Sequence, residues 1–95
     1  NQISIQNIIK TVCAIMKVKE KEVLGKTRSM EIALARQICM FIAKEKTNLS
    51  LASIGKQIGR RDHSTVIHAY KNITKKINSD VELKQIINNI ESQIQ

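Results

Sequence analysis

Gly59-Arg60-Arg61-Asp62-His63-Ser64-Thr65-Val66-Ile67-His68-Ala69-Tyr70-Lys71-Asn72-Ile73 is the stretch on which the fold of this chain turns. Val66, Tyr70, Ile73 and Ile77 recur at spacings of four, three and four, the period of one helix face. Arg61, Ser64, His68, Lys71 and Lys75 recur at three, four, three and four on the opposite face. One side is therefore expected in a core, while the other carries only hydrogen-bonding and cationic groups. The first turn holds Asp62, His63, Ser64 and Thr65, short side chains able to donate or accept at close range. A helix that reads base edges in a major groove needs such a turn. A solvated helix face capped by Asp62 fits the same residues.

Upstream, Ser50 is expected to cap a short helix from Leu51 to Ile58, with Leu51, Ile54 and Ile58 apolar and Gly59 ending it in a left-handed C-cap. Gly55, four residues before the turn glycine, allows the two helices to approach closely. A short helix, a glycine turn and a second helix with a polar first turn make a helix-turn-helix, over about residues 50–77.

The whole chain agrees with a small all-helical fold. Ninety-five residues suit one small domain, 1–95, and 42% hydrophobic content suffices for a modest core. With 2% aromatics, no Pro and three Gly, that core must be aliphatic and the chain nearly all helix. The net charge of +8 favours a polyanionic partner, with nucleic acid first and an acidic membrane surface second; plain solubility is the simpler account.

Ser4 is expected to cap a helix built on Ile5, Ile8, Ile9, Val12, Ile15 and Met16, which packs on the domain or lies on a membrane surface. Lys19 to Leu24 reads as one helical turn ending at Gly25, followed by the basic loop Gly25-Lys26-Thr27-Arg28-Ser29. Gly25-Lys26-Thr27 imitates the end of a phosphate-binding P-loop, but position 20 is Glu and no apolar strand precedes it. What remains is a loop that presents Lys26 and Arg28, which suits a narrow minor groove as well as bulk water. Ser29 caps a helix to about Lys46 that is apolar around most of its circumference, with Arg36, Gln37 and Lys44 on one strip. Phosphate positioning and surface ion pairing both fit that strip. Ser79 and Glu82 are expected to form a capping box for a last helix carrying Leu83, Ile87, Ile90 and Ile94.

Catalysis and metal binding are not expected. Asp62, His63 and Ser64 hold the atoms of a hydrolytic triad, but three consecutive residues project differently. His63 and His68, five apart, are poorly placed to share a metal. Cys13 and Cys39 lie in apolar stretches without Cys-x-x-Cys spacing and read as buried reduced thiols of a cytoplasmic protein. No run reaches the length of a membrane span, and no signal peptide is visible at the start. A start without Met suggests a piece of a longer protein.

Arg61-Asp62-His63-Ser64-Thr65-Val66-Ile67-His68-Ala69 resembles the signature of the C-terminal DNA-binding domain of the bacterial DnaA family of chromosomal replication initiators. Ala35-Arg36-Gln37-Ile38-Cys39-Met40, Lys26-Thr27-Arg28-Ser29 and Leu51-Ala52-Ser53-Ile54-Gly55 extend the resemblance over about residues 5–77. It implies a fold related in shape to the Trp repressor, and double-stranded DNA as partner. The target would be the DnaA box, a short asymmetric A/T-rich site at the replication origin, with one monomer per box. Arg28 would be the minor-groove arginine, aided by Lys26, and Asp62, His63, Ser64, Thr65 and His68 the major-groove set. Arg36, Gln37, Lys44 and the amides of Leu51 and Ala52 would meet phosphates, with Arg60, Arg61 and Lys71 as further cations. Arg60 stands where the family often has Gly, Met30 where a basic residue is frequent, and Ala52 where Pro can occur. Asp62 has two roles open, capping the helix and accepting from a cytosine amino group. ATP is expected only in the family's ATPase domain, upstream of these residues, so no cofactor is expected here. Acidic phospholipid is the rival partner, through the first helix.

Overall fold

The structure is a computed structural model that describes residues 3–94. Six helices follow one another: α1 (Ile5–Met16), α2 (Glu20–Leu24), α3 (Met30–Lys46), α4 (Leu51–Gln57), α5 (His63–Ile77) and α6 (Val81–Gln93). The described residues contain no strand. Serine sets three of the helix starts: Ser4, Ser29 and Ser50 accept from the amides of Asn7, Ile32 and Ser53.

α3 is the central element and packs on α5, α1, α2 and α4. Ile32, Ala35, Ile38, Cys39, Met40, Phe41, Ile42 and Ala43 are all buried along it. The core is aliphatic, with Ile8, Ile38, Ile42, Ile54, Ile58, Ile73 and Ile90 fully enclosed. Each such side chain contributes about 1.5–3 kcal/mol by leaving water. Phe41 stacks on Tyr70 of α5, ring centroids 5.3 Å apart, at the edge of this core. Cys13 and Cys39 are buried free thiols, and burial pushes the Cys39 thiol well above its ordinary value.

The apolar stripe of α1 (Ile5, Ile8, Ile9, Val12 and Cys13) is also buried in this core. A phospholipid surface would need that stripe exposed. No helix among the described residues is long and apolar enough to cross a membrane.

Two local expectations are corrected. The last helix is capped by Asp80, whose Oδ1 accepts from the Leu83 amide at 3.0 Å. Ser79 and Glu82 do not form the box, because the amides of Ser79 and Asp80 both still bond to Lys76 O and close α5. The helix therefore starts one residue later. Periodicity puts Arg61 on the polar face of α5, but it precedes the helix, whose N-cap is Asp62. A three-residue step along the sequence resembles helix period even where the chain has not begun to coil.

Gly55 works as its position suggests. The Arg61 amide donates to Gly55 O at 2.7 Å, and a Cβ on Gly55 would collide with the backbone carbonyl of Arg61. Gly59 takes φ +77°, the left-handed turn expected, and Arg60 follows it into the same region at φ 55°. Lys17, at φ 59°, closes α1 the same way without a glycine to announce it.

Candidate nucleic-acid interface

The first turn of α5 starts from an aspartate that does not cap in the ordinary way. Asp62 occupies the N-cap position, yet its carboxylate does not make the usual capping hydrogen bond to the first turn. It takes Ser64 Oγ at 3.0 Å on one oxygen and His63 Nδ1 at 2.9 Å on the other. The Ser64 hydroxyl, with lesser help from His63, holds the Asp62 carboxyl below its usual range. These three side chains converge where divergence was expected, but Ser64 donates to the carboxylate and not to the imidazole. The order nucleophile, histidine, aspartate of a relay is therefore not formed.

His63 and Asp62 remain about two-thirds exposed despite this contact, at 62% and 66% of their side-chain surface. Thr65, His68 and Lys71 are exposed along the same helix, and Ser64 is half-buried. Val66, Ala69 and Ile73 are buried on the other side. The predicted division of α5 into a core face and a polar face is present from residue 62 onward.

The strip on α3 is different, because its polar groups already have partners. Arg36 Nε donates to Val23 O at 2.8 Å, and Nη2 donates to Glu22 O, Gly25 O and Thr27 O. One guanidinium thus closes the C-terminal end of α2 and gathers the basic loop behind it. Gln37 Oε1 accepts from Asn72 Nδ2 of α5 at 2.6 Å, which leaves the Gln37 amide hydrogens as its free donors. Lys44 Nζ lies 4.3 Å from the centroid of the Tyr70 ring, whose hydroxyl donates to Glu45 at 2.7 Å.

Arg61 joins this arrangement from the other side. Its Nη1 donates to Ile58 O at 3.0 Å and its Nη2 to Gly25 O at 2.6 Å. Burial depresses both guanidiniums from their ordinary value, and for Arg36 the neighbouring Arg61 adds to it. Among the described residues no lysine or arginine forms a salt bridge, the one contact of that kind being His63 Nδ1 to Asp62, so these arginines and Lys26, Arg28, Arg60 and Lys71 have no carboxylate partner. Lys26 and Arg28 are exposed on the loop, and Met30 opens α3 beside them at 90% exposure.

Between α3 and α5 runs an open groove of about 410 Å³ whose lining includes Arg36, Gln37, Arg61, Thr65, His68 and Asn72. At the start of α4, Ser50 Oγ takes the Ser53 amide and Ser50 O takes the Ile54 amide. The amides of Leu51 and Ala52 stand ahead of the first intrahelical acceptor and have no partner among the described residues.

Sequence reasoning missed three participants: Asn72, Tyr70 and the Gly25 carbonyl. Asn72 and Tyr70 carried only their helical positions as signal, and their partners lie 35 and 25 residues away. A main-chain carbonyl leaves no mark in a sequence at all.

Comparison with known proteins decides the family. A model described as bacterial dnaA protein helix-turn-helix matches residues 5–73. The chain belongs to that family. It is 42% identical over 94 residues to the chromosomal replication initiator protein DnaA 1 of Protochlamydia amoebophila (strain UWE25), covering 99% of this chain and 21% of the relative. It is 40% identical over 92 residues to DnaA of Methylacidiphilum infernorum (isolate V4), covering 97% of this chain and 20% of that protein. For DnaA of Chlorobaculum tepidum the identity is 39% over 94 residues, covering 99% and 19%. The chain spans about a fifth of the length of these relatives. The DnaA match begins with α1 and ends within α5, so it takes in both the basic loop and the helix-turn-helix.

Proposed function

We propose that this DnaA-family chain binds double-stranded DNA sequence-specifically at the DnaA box, one monomer per box, in the cytoplasm, as the DNA-binding part of a replication initiator. The observation that carries the reading is the junction of two exposed features. The basic loop with Lys26 and Arg28 is tied through Gly25 O to Arg61, two residues from His63 on the first turn of α5. A helix turn in the major groove and a cationic loop in the next minor groove would cover one short asymmetric site without a second subunit.

In this reading His63, Ser64, Thr65 and His68 meet base edges. Asp62, with its carboxylate ionised and bound to Ser64 and His63, orients those two side chains and is itself available to a cytosine amino group. Lys44, Arg60, Lys71 and the Leu51 and Ala52 amides would contact phosphates. Arg36, Gln37 and Arg61 would offer only the donors that their internal partners leave over. Arg28 would occupy the narrow A/T-rich minor groove, where the negative potential is strongest.

Binding of a box duplex and a scrambled duplex, each with and without A/T pairs at the minor-groove end, tests this. The parent is expected to prefer the box and to weaken when those pairs become G/C. Arg28→Ala should be nearly indifferent to that change while keeping its preference at the recognition-helix end. Equal retention of box and scrambled DNA by the parent would end the proposal.

A further inference from the structure

We infer that Arg61 is a positioning residue, which sets the distance between the loop that carries Arg28 and the first turn of α5. This rests on the two-groove reading above and adds the part that makes the two grooves one site.

The loop from Gly25 to Ser29 has no regular structure of its own. Two guanidiniums from separate parts of the fold converge on one of its carbonyls: Gly25 O receives Arg36 Nη2 at 3.2 Å and Arg61 Nη2 at 2.6 Å. Arg36 ties the loop to α3, the body of the molecule. Arg61 ties it to the helix-turn-helix, and its own backbone is fixed in turn by the bond from its amide to Gly55 O. Nη1 on Ile58 O holds the fork against the end of α4. From this anchor two residues lead to His63, and three lead from Gly25 to Arg28. These short arms bound the separation at about 3.5 Å per residue, and Arg36 Nη2 on Thr27 O, at 3.1 Å, holds the second arm next to Arg28.

Gly59 fits the same purpose. A Cβ there would collide with Arg61 Nη1 and come within 2.8 Å of Leu24 O, so the missing side chain is the space through which Arg61 reaches the loop. Two like charges share a single carbonyl, with no salt bridge to either among the described residues, and burial and that neighbour both depress Arg36. A mere phosphate contact would not need its fork buried against main-chain oxygens. Planar, paired donors suit bracing two carbonyls, and an ammonium on a flexible stem does not. A preorganised loop loses less freedom on binding than a loose one, so the brace favours sites in which both grooves are right.

Arg61→Lys, which keeps the charge, and Arg61→Gln, which removes it, test the brace in the 95-residue chain, with circular dichroism confirming the fold. Exchange of the Gly25 amide, which donates to Glu22 O at 3.3 Å, is expected to speed up by about tenfold in the free protein in both variants, and exchange in α3 and α6 to stay unchanged. On DNA, Arg61→Lys should lose the penalty for A/T-to-G/C changes at the minor-groove end. Adding Arg61→Lys to Arg28→Ala should then change nothing further at that end. Parent-like loop exchange and A/T preference in Arg61→Lys would overturn the inference, as would Arg61→Gln merely lowering the salt slope by about 0.9, the mark of one phosphate contact. A parent without A/T preference would remove the two-groove reading instead, and the loop exchange would still decide whether Arg61 is a brace.

Discussion

α3 and α5 carry strips of polar side chains that look alike in sequence and behave oppositely in the fold. Arg36 and Gln37 on α3 are engaged inside the protein, by four carbonyls and by Asn72, while Lys44 lies over the Tyr70 ring but stays exposed. His63, Thr65, His68 and Lys71 on α5 are exposed, and only His63 has a partner, a neighbour one residue away. One strip holds the molecule together and the other waits for something outside it. A cation in an amphipathic pattern is therefore not by that fact a free cation. Main-chain carbonyls at helix ends and in loops compete for it, and an internal fork on several carbonyls keeps it charged but occupied.

The sharpest way to break this contrast is to mutate one residue from each strip and compare stability with binding. Arg36→Ala leaves the end of α2 and the loop carbonyls without their donor, and is expected to cost about 2–3 kcal/mol of folding stability by urea denaturation. Because Arg36 also ties the loop through Gly25 O and Thr27 O, its loss should weaken the box more than random DNA. His63→Ala or Thr65→Ala should cost about 1–3 kcal/mol on the box and little on random DNA. Their effect on stability should stay within about 0.5 kcal/mol, as for exposed positions without special roles. If Arg36→Ala is as stable as the parent, or if the α5 variants lose box and random binding equally, the division into holding and reading strips is wrong.

Arg60 gives the smallest and most delicate test, since it belongs to neither strip. Its left-handed backbone, at φ 55°, is strained for any residue with a Cβ. Glycine relieves that strain but adds freedom to the unfolded chain, so Arg60→Gly should gain about 0–1 kcal/mol of stability. If Arg60 meets a phosphate, the same variant should flatten the plot of log affinity against log salt by about 0.9 from a parent slope of roughly −4 to −6. A more stable variant with an unchanged slope would place Arg60 outside the interface.

The helices were legible because their signals are local. Ser4, Ser29 and Ser50 each cap within three residues, and the aliphatic period of α3, α5 and α6 needs only one neighbouring turn to be read. Even there, a single-residue choice between Ser79 and Asp80 was lost, because it depends on where α5 lets go of its last amides. The glycine turn was legible for a similar reason: at Gly59 the chain needs a left-handed residue, and at Gly55 a bare backbone. The left-handed Lys17 carried no such mark.

By itself, then, the sequence determined an all-helical chain, its aliphatic core, the helix-turn-helix from Ser50 to Ile77, and the polar first turn at Asp62 to Thr65. All of these follow from short-range periodicity, capping and backbone freedom. Only the tertiary structure decided which charged groups are spent and which are free. Arg36 and Arg61 find Gly25 O from 11 and 36 residues away, and Gln37 finds Asn72 from 35. Hydrogen bonds over such distances in the chain depend on which helix ends the packing brings together, and no repeat or spacing along the sequence encodes a carbonyl waiting for a donor.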